Sequence, residues 1–127
     1  MGTPKEKILI VEDESTLLRI ISIKLKVSGY EVYTASSGSE ALRLIEAHRP
    51  DCVLLDIIIP DQDGLEVLRR LRAKSSLPVV AFSARPDNAR SAIEMGADVF
   101  MTKPFDMDSL LAAIQGIIKC PGVNPVR

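Results

Sequence analysis

Five short runs of β-branched and aliphatic residues recur along the chain, and each is too short for a typical helix. They lie at residues 7–11, 31–35, 52–56, 78–82 and 98–102, and each predicts a β-strand. Between and after these runs, apolar residues recur at helical spacing, as at Leu17, Leu18, Ile21 and Leu25. The pattern therefore predicts five strands, each followed by a helix.

Residues that favour helix ends lie at the expected boundaries. Ser15, Ser37 and Asp106 are suited to cap the starts of the first, second and fifth helices, and Gly29 and Gly96 follow the ends of the first and fourth. Strands and helices consequently alternate strictly. Such alternation favours a parallel sheet with right-handed crossovers and helices on both faces.

The polarity of the strands predicts their order in the sheet. Residues 8–11 and 53–55 are almost wholly apolar, as central strands of a parallel sheet are. Residues 31–35 mix polar and apolar side chains, as an edge strand does. We predict a single α/β domain, a (βα)5 fold whose doubly wound parallel five-stranded sheet has the flavodoxin-like order 2-1-3-4-5.

Charge and cysteine content narrow the classes of function. The chain has 16 Lys and Arg residues against 17 Asp and Glu residues, so no net field draws the domain to nucleic acid or to an anionic membrane. The two cysteines have no motif spacing, and no apolar run approaches the ~20 residues that cross a bilayer. We expect one domain at residues 7–119, with an extension at 1–6 before it and a tail or the start of a linker at 120–127 after it. We also expect this domain to be cytoplasmic and to bind neither nucleic acid nor membrane.

Acidic residues follow two strands that are neighbours in the predicted sheet. In such a sheet, ligands bind beyond the carboxyl ends of the strands where the winding reverses, here between strands one and three. Glu12 and Asp13 follow strand one, Asp56 ends strand three, and Asp61 and Asp63 lie nearby in the next loop. Carboxylates at close range repel one another unless a hard divalent cation relieves the repulsion. The cluster predicts a Mg²⁺ site, in which Mn²⁺ can substitute.

Two further strand ends carry complementary groups. Strand four closes with Ser83, a hydroxyl donor, and strand five is followed by Lys103, an ammonium. A carboxylate nucleophile, a cation, a hydroxyl and a lysine can together accept a phosphoryl group and neutralise its oxygens. Taken singly, each residue has a simpler role as a helix cap, a turn residue or a solvated charge. Their joint occurrence at four strand ends favours acyl-phosphate chemistry at Asp56.

These motifs resemble the receiver domains of two-component response regulators. The resemblance rests on the segments ILIVEDE (8–14), DCVLLD (51–56), FSA (82–84), GAD (96–98) and KPF (103–105), together with Pro60 and Gly64. Each segment is short, but their order, their spacing and their positions at successive strand ends extend the match over about the whole chain.

The resemblance implies a role for each residue of the site. Asp56 takes a phosphoryl group from a histidine of a sensor histidine kinase or a histidine phosphotransfer protein. Asp13, Asp56 and the backbone carbonyl of Ile58 ligate Mg²⁺, and Glu12 holds the ion more indirectly, through water. Lys103 pairs with the phosphoryl oxygens.

The resemblance also implies a switch. Ser83 hydrogen-bonds the phosphoryl group when the loop after strand four shifts, and Phe100 moves with it, although an aromatic residue on a strand more often serves packing alone. The surface of the fourth helix, fifth strand and fifth helix then changes and binds an output domain or partner protein, or forms a homodimer. The last helix, 106–119, carries few charges, unlike its counterpart in OmpR-type regulators, whose dimer interface is charged. The peptide bond before Pro104 is expected to be cis.

Two other functions stay open at this point. A metal-dependent phosphatase or hydrolase also forms an aspartyl phosphate, but such an enzyme usually adds a cap or insertion, and only short loops separate the predicted strands. A receiver-like interaction module that does not switch has the same fold, but Asp13, Asp56, Ser83 and Lys103 are all present and argue against it. We therefore expect a phosphoacceptor rather than a turnover enzyme.

Two side chains near the predicted phosphoryl group lead to a prediction about its lifetime. Ile58, two places after Asp56, shields the acyl phosphate from water, and Arg85, two places after Ser83, can pair with the phosphoryl oxygens. We expect slow autodephosphorylation, and a shorter phosphoryl lifetime in an Ile58→Asn, Arg85→Ala double variant. The lifetime is measured as the decay of the phosphorylated mass after the phosphodonor is removed. An unchanged lifetime in the double variant would contradict the prediction.

Overall fold

The computed structural model describes residues 4–59, 61 and 63–119, so Pro60, residues 1–3 and the predicted tail at 120–127 lie outside the described residues. Five strands alternate with five helices, as the hydrophobic pattern predicts. In chain order they are β1 (Lys7–Val11), α1 (Ser15–Val27), β2 (Glu31–Ala35), α2 (Gly38–His48), β3 (Cys52–Asp56), α3 (Gly64–Lys74), β4 (Val79–Ser83), α4 (Asn88–Met95), β5 (Val99–Thr102) and α5 (Met107–Lys119). Among the described residues, no helix is both long and apolar enough to cross a membrane.

The five strands form one sheet in which every neighbouring pair is parallel, with the order β2-β1-β3-β4-β5. Strands β3 and β4 are buried at every residue and β1 at all but its first, whereas β2 has exposed residues, as an edge strand does. The predicted fold class and strand order are confirmed. Because all strands run in one direction, their carboxyl ends lie along a single edge of the sheet.

Two strands begin one residue later than the sequence pattern predicts. Strand β4 begins at Val79 because Pro78 has no N–H to donate; its carbonyl alone takes part, accepting the N–H of Val53 at 2.9 Å. Strand β5 begins at Val99, and the preceding residue, Asp98, both donates its N–H to the carbonyl of Val79 and accepts the N–H of Val79 with its carboxylate, each at 2.9 Å.

The hydrophobic core has two parts, one on each face of the sheet. Leu9 and Val53 belong to the part covered by α2, α3 and α4, whereas Ile8 and Leu54 belong to the part covered by α1 and α5. Alternate residues of a strand face opposite sides, so a strand covered on both sides must be apolar throughout. Cys52 packs on the α1 and α5 side, where burial raises the pKa of its thiol.

Side chains cap the helix starts, with one difference from the prediction. Ser37 and Asp106 each accept the N–H of the residue three places later, at 3.3 and 2.7 Å, as predicted. At α1 the prediction of Ser15 as the cap was wrong by one residue. The cap is Glu14, whose carboxylate accepts the N–H of Leu17 at 2.9 Å, and Ser15 is the first helical residue.

One arginine ties together the segments that lead into β4 and β5. Arg72 of α3 donates to the carbonyls of Gly96 and Leu77, at 2.9 and 2.7 Å, and to the carboxylate of Asp98 at 3.0 Å. Asp98 in turn accepts the N–H of Val79 at 2.9 Å. The Arg72 and Asp98 side chains are 21% and 15% exposed, so the contact is largely shielded from water. It holds the amino ends of both strands.

Replacement of Arg72 by alanine is expected to destabilise the fold, because the mostly buried Asp98 carboxylate and two carbonyls lose the arginine donors. We expect a loss of about 2 kcal/mol in the free energy of unfolding, measured by urea denaturation. The matched control is Arg70→Ala on the same helix, whose ion pair with Glu66 is exposed and should contribute ~0.5 kcal/mol or less. Equal losses for the two variants would show that the Arg72 contacts do not stabilise the fold.

Candidate functional site

Three carboxylates lie together at the carboxyl ends of β1 and β3. Val11 of β1 pairs with Leu55 of β3, so the residues that follow, Glu12 and Asp56, are neighbours across the two strands. With Asp13 they bring carboxylate oxygens within 4.8 Å of one another. Glu12 and Asp56 are buried, whereas Asp13 is exposed, so the cluster opens to solvent at Asp13. The three acidic residues that the sequence predicts to converge are therefore adjacent.

The ammonium of Lys103 lies among these carboxylates. Its Nζ is 2.8 Å from Oδ2 of Asp56 and 2.9 Å from Oε1 of Glu12. Burial by itself would lower the pKa of Lys103, but the hydrogen bonds and charges of Asp56 and Glu12 outweigh burial and raise the pKa. Burial raises the pKa of Glu12, and the Lys103 ammonium opposes that rise. Lys103 therefore stays cationic and partly neutralises both carboxylates.

The backbone after β5 sets where the Lys103 side chain starts. The N–H of Lys103 donates to the carbonyl of Ser83 at 2.8 Å, and the following peptide bond, to Pro104, is cis, as the resemblance implies. The Nζ of Lys103 lies 5.3 Å from the centre of the Phe82 ring. The ammonium thus reaches the carboxylates beside an aromatic face.

The remaining carboxylate oxygens differ in how they are satisfied. Oδ1 of Asp56 accepts the N–H of Ile58 at 2.9 Å, and Oε2 of Glu12 accepts the N–H of Glu14 at 2.9 Å. Oε1 of Glu12 has the ion pair with Lys103 but no well-aligned hydrogen bond in the described part of the chain. A buried carboxylate oxygen of this kind has capacity for a further ligand.

The donor set fits a hard divalent cation. Glu12, Asp13 and Asp56 offer only oxygen atoms, three carboxylates face a single ammonium, and one of the buried oxygens has spare capacity. Mg²⁺ prefers carboxylate oxygens and keeps several waters, which the exposed side of Asp13 can admit. These residues therefore could hold Mg²⁺, while the role of the Ile58 carbonyl stays a prediction.

Two other acidic residues, in the loop after β3, make their hydrogen bonds at helix starts and do not belong to the three-carboxylate cluster. Asp61 accepts hydrogen bonds from the N–H and hydroxyl of Ser39, at 3.1 and 2.6 Å, and from the N–H of Gly38 at 2.7 Å. These bonds lower the pKa of Asp61 and hold its loop against the start of α2. Asp63 caps α3 by accepting the N–H of Leu65 at 3.0 Å. Both carboxylates therefore bind N–H groups at the starts of helices, which have no partner within the helix, instead of joining the site.

Gly64 allows the loop after β3 to pack closely on the strand. A Cβ at this position would lie 2.5 Å from the backbone of Ile57, and the N–H of Gly64 donates to the Ile57 carbonyl at 2.8 Å. Only glycine permits this approach. The same loop carries Ile58, which pairs with Asp63 and has 53% of its surface exposed. The loop is therefore fixed to the strand that carries Asp56.

Ser83 is fully buried at the end of β4, and its hydroxyl faces the segment that leads into α4. Its Oγ accepts the backbone N–H of Arg85 and the side-chain amide of Asn88, both at 3.0 Å. In the described part of the chain, the Ser83 hydroxyl has no hydrogen bond to Asp56 or to Lys103. Sequence reasoning missed Asn88; its one signal is an amide side chain at the start of the fourth helix.

Phe100 is half-buried on β5, where it pairs in register with Ala81 of β4 and packs against the core on the α2, α3 and α4 side. Ser83 follows Ala81 by two residues, so Ser83 and Phe100 lie on the same face of the sheet. Their joint movement stays a prediction.

Comparison of the sequence with models of known protein families leads to the same conclusion as the geometry of the site. A family model described as the response regulator receiver domain matches residues 8–115. The chain belongs to this family.

Individual relatives agree with that assignment. The chain is 43% identical over 114 residues to the transcriptional regulatory protein KdpE of Mycobacterium tuberculosis, and the match covers 88% of this chain and 50% of KdpE. The chain therefore spans about half the length of these relatives. Among solved structures, the CheY-like receiver domain protein of Methanospirillum hungatei has a TM-score of 0.85 at 28% identity, covering 91% of this chain and 95% of that one. The receiver domain of a sensor histidine kinase from Pseudomonas aeruginosa, with a magnesium ion coordinated in its active site cleft, has a TM-score of 0.83 at 28% identity, covering 91% and 99%.

Removal of one acidic ligand is expected to weaken binding of Mg²⁺. Asp13→Asn keeps the shape of the side chain but removes its charge, and we expect the dissociation constant for Mg²⁺ to rise about tenfold or more, measured by calorimetric titration. The matched control is Asp108→Asn, which changes an exposed aspartate paired only with Lys24 in α1. If both variants bind Mg²⁺ as the parent does, the acidic cluster is not the cation site.

Proposed function

We propose that this receiver domain is a phosphoacceptor switch, in which Asp56 takes a phosphoryl group from a histidine of a sensor histidine kinase or a histidine phosphotransfer protein. The observation that carries the proposal is the buried Asp56 carboxylate, which has Lys103 Nζ at 2.8 Å and two further carboxylates beside it. Membership of the receiver family supports the same reaction class.

The proposed reaction joins a carboxylate oxygen of Asp56 to phosphorus. As the P–O bond forms, the P–N bond of the phosphohistidine breaks, and its electron pair stays on the ring nitrogen. The donor leaves as a neutral imidazole when its other ring nitrogen carries a proton. The N–H of Ile58 and the ammonium of Lys103 hold the Asp56 carboxylate from two sides, which orients it for attack.

Transfer brings negative charge into a site that already holds three carboxylates. The ammonium of Lys103, within reach of Asp56, pairs with the phosphoryl oxygens as they arrive. Mg²⁺ bound by Glu12, Asp13, Asp56 and the carbonyl of Ile58 would supply further positive charge at the transferred group. Because Asp13 is exposed, the donor protein approaches the buried Asp56 from that side.

The proposed switch connects the site to a surface for output. Ser83 and Phe100 lie on one face of the sheet, and both move when the Ser83 hydroxyl binds the phosphoryl group. Phosphorylation then shifts the balance between two conformations of the α4-β5-α5 surface. The surface in its new conformation controls an output domain or a partner protein, or forms a homodimer. The transcriptional regulatory protein KdpE, half of whose length this chain matches, supports a transcriptional output.

The proposal includes a cytoplasmic location. It also includes no direct binding of nucleic acid or membrane by this domain, because positive and negative residues are nearly equal in number. It also excludes turnover of small phosphate esters. In the described part of the chain, α3 begins at Gly64, eight residues after the last residue of β3. This connection is too short to form a substrate cap.

The direct test is the intact mass of the protein after incubation with acetyl phosphate, with Mg²⁺ or with EDTA. We expect the mass to increase by one phosphoryl group, and we expect the increase to require both Mg²⁺ and Asp56, because the carboxylate is the nucleophile and the cation neutralises the transferred group. Asp56→Asn should therefore show no gain. Asp108→Asn serves as the matched control and should gain mass as the parent does.

Two other outcomes would reject the proposal. No gain in mass under any condition would favour an interaction module that has the fold but does not switch. Continuous release of phosphate from an added phosphate ester, at a rate that depends on Asp56, would favour a phosphatase.

A further inference from the structure

The start of α4 has an unusual attachment to the rest of the domain. The residue before the helix, Asp87, makes no side-chain capping hydrogen bond, and the helix is eight residues long. The side chain of the first helical residue, Asn88, instead donates to Oγ of Ser83 at 3.0 Å. This single amide therefore joins the first turn of α4 to the end of β4.

The contact fixes the position of the hydroxyl group that the proposed switch has to move. A serine oxygen can accept two hydrogen bonds, and the donors to Ser83 Oγ are the N–H of Arg85 and the amide of Asn88, both at 3.0 Å. Both donors lie on the side of α4. Asp56 lies on the neighbouring strand β3, where it pairs with Phe82. Movement of the Ser83 hydroxyl towards Asp56 therefore lengthens its contact with Asn88.

We propose that Asn88 is a positioning residue that holds Ser83 in the resting arrangement and so opposes the phosphoryl-bound one. The inference rests on the proposed function of Asp56 and deepens it, since it names the group that sets the resting balance of the switch. Removal of a hydrogen bond made only in one of two states moves the equilibrium towards the other. Asn88 therefore tunes how readily the domain switches without touching the phosphoryl group.

The first measurement uses beryllofluoride, which mimics a phosphoryl group on a carboxylate, added with Mg²⁺ and followed by amide resonances in NMR. Asn88→Ala is expected to bind beryllofluoride about threefold to tenfold more tightly than the parent, the change expected for the loss of one neutral hydrogen bond. Ser91→Ala, an exposed position on the same helix, is the matched control and should bind as the parent does.

A second background separates positioning from a general effect on α4. In Ser83→Ala, the amide of Asn88 has no hydroxyl to hold, so the further change Asn88→Ala should leave the affinity unaltered. The inference is overturned if Asn88→Ala binds beryllofluoride no more tightly than Ser91→Ala does. It is also overturned if the gain persists in the Ser83→Ala background.

A third measurement does not depend on phosphoryl chemistry. In the protein without beryllofluoride, the N–H of Arg85 is bonded to Ser83 Oγ, and release of Ser83 should expose it. We expect hydrogen exchange at Arg85 to be about threefold to tenfold faster in Asn88→Ala, with exchange in β1 and β3 unchanged. Failure of the parent to bind beryllofluoride would reject the function of Asp56, whereas unchanged exchange at Arg85 would reject the role of Asn88.

Discussion

A lysine ammonium shared by two buried carboxylates is the interaction on which the site depends. Burial raises the pKa of Glu12 and so opposes the charge that a metal ligand needs, whereas the Lys103 ammonium acts to lower that pKa. Lys103 contacts both buried carboxylates, at 2.9 and 2.8 Å, in a site that opens to solvent at Asp13. One ammonium does not balance three carboxylates, however, and the remaining negative charge is what suits the site to a divalent cation.

The fold supplies this arrangement through strand order. Glu12 and Asp56 meet because β1 and β3 are adjacent although they are not consecutive in the chain, and Lys103 comes from β5 at the far edge of the sheet. Its side chain must therefore extend back across the end of β4. The contacts of its backbone with Ser83 and of its ammonium with the Phe82 ring lie along that path. The positions of the candidate site residues at the ends of three strands are thus set by one sheet rather than by long loops.

The sequence predicted the sheet, its order and the convergence of the three carboxylates, because hydrophobic periodicity and the parallel topology determine all three. It did not predict what acidic residues in loops would do. Asp61 and Asp63 satisfy amides at the starts of α2 and α3, a choice that depends on how the loop folds in three dimensions. The contact of Asn88 with Ser83 escaped prediction for the same reason, since a side chain five residues away becomes a partner only once the turn between them is formed.

The two loops beside Asp56 are attached in very different ways. The loop after β3 lies so close to the strand that Gly64 leaves no space for a methyl group, and further bonds from Asp61 hold it to α2. Among the described residues, the hydrogen bonds that join β4 to the start of α4 are those that Arg85 and Asn88 donate to Ser83. Contacts with both the strand and α2 consequently hold the loop on one side of Asp56, whereas the segment on the other side is held through Ser83. If Asp56 is phosphorylated as proposed, we therefore expect the structural response on the side of α4 rather than in the loop after β3.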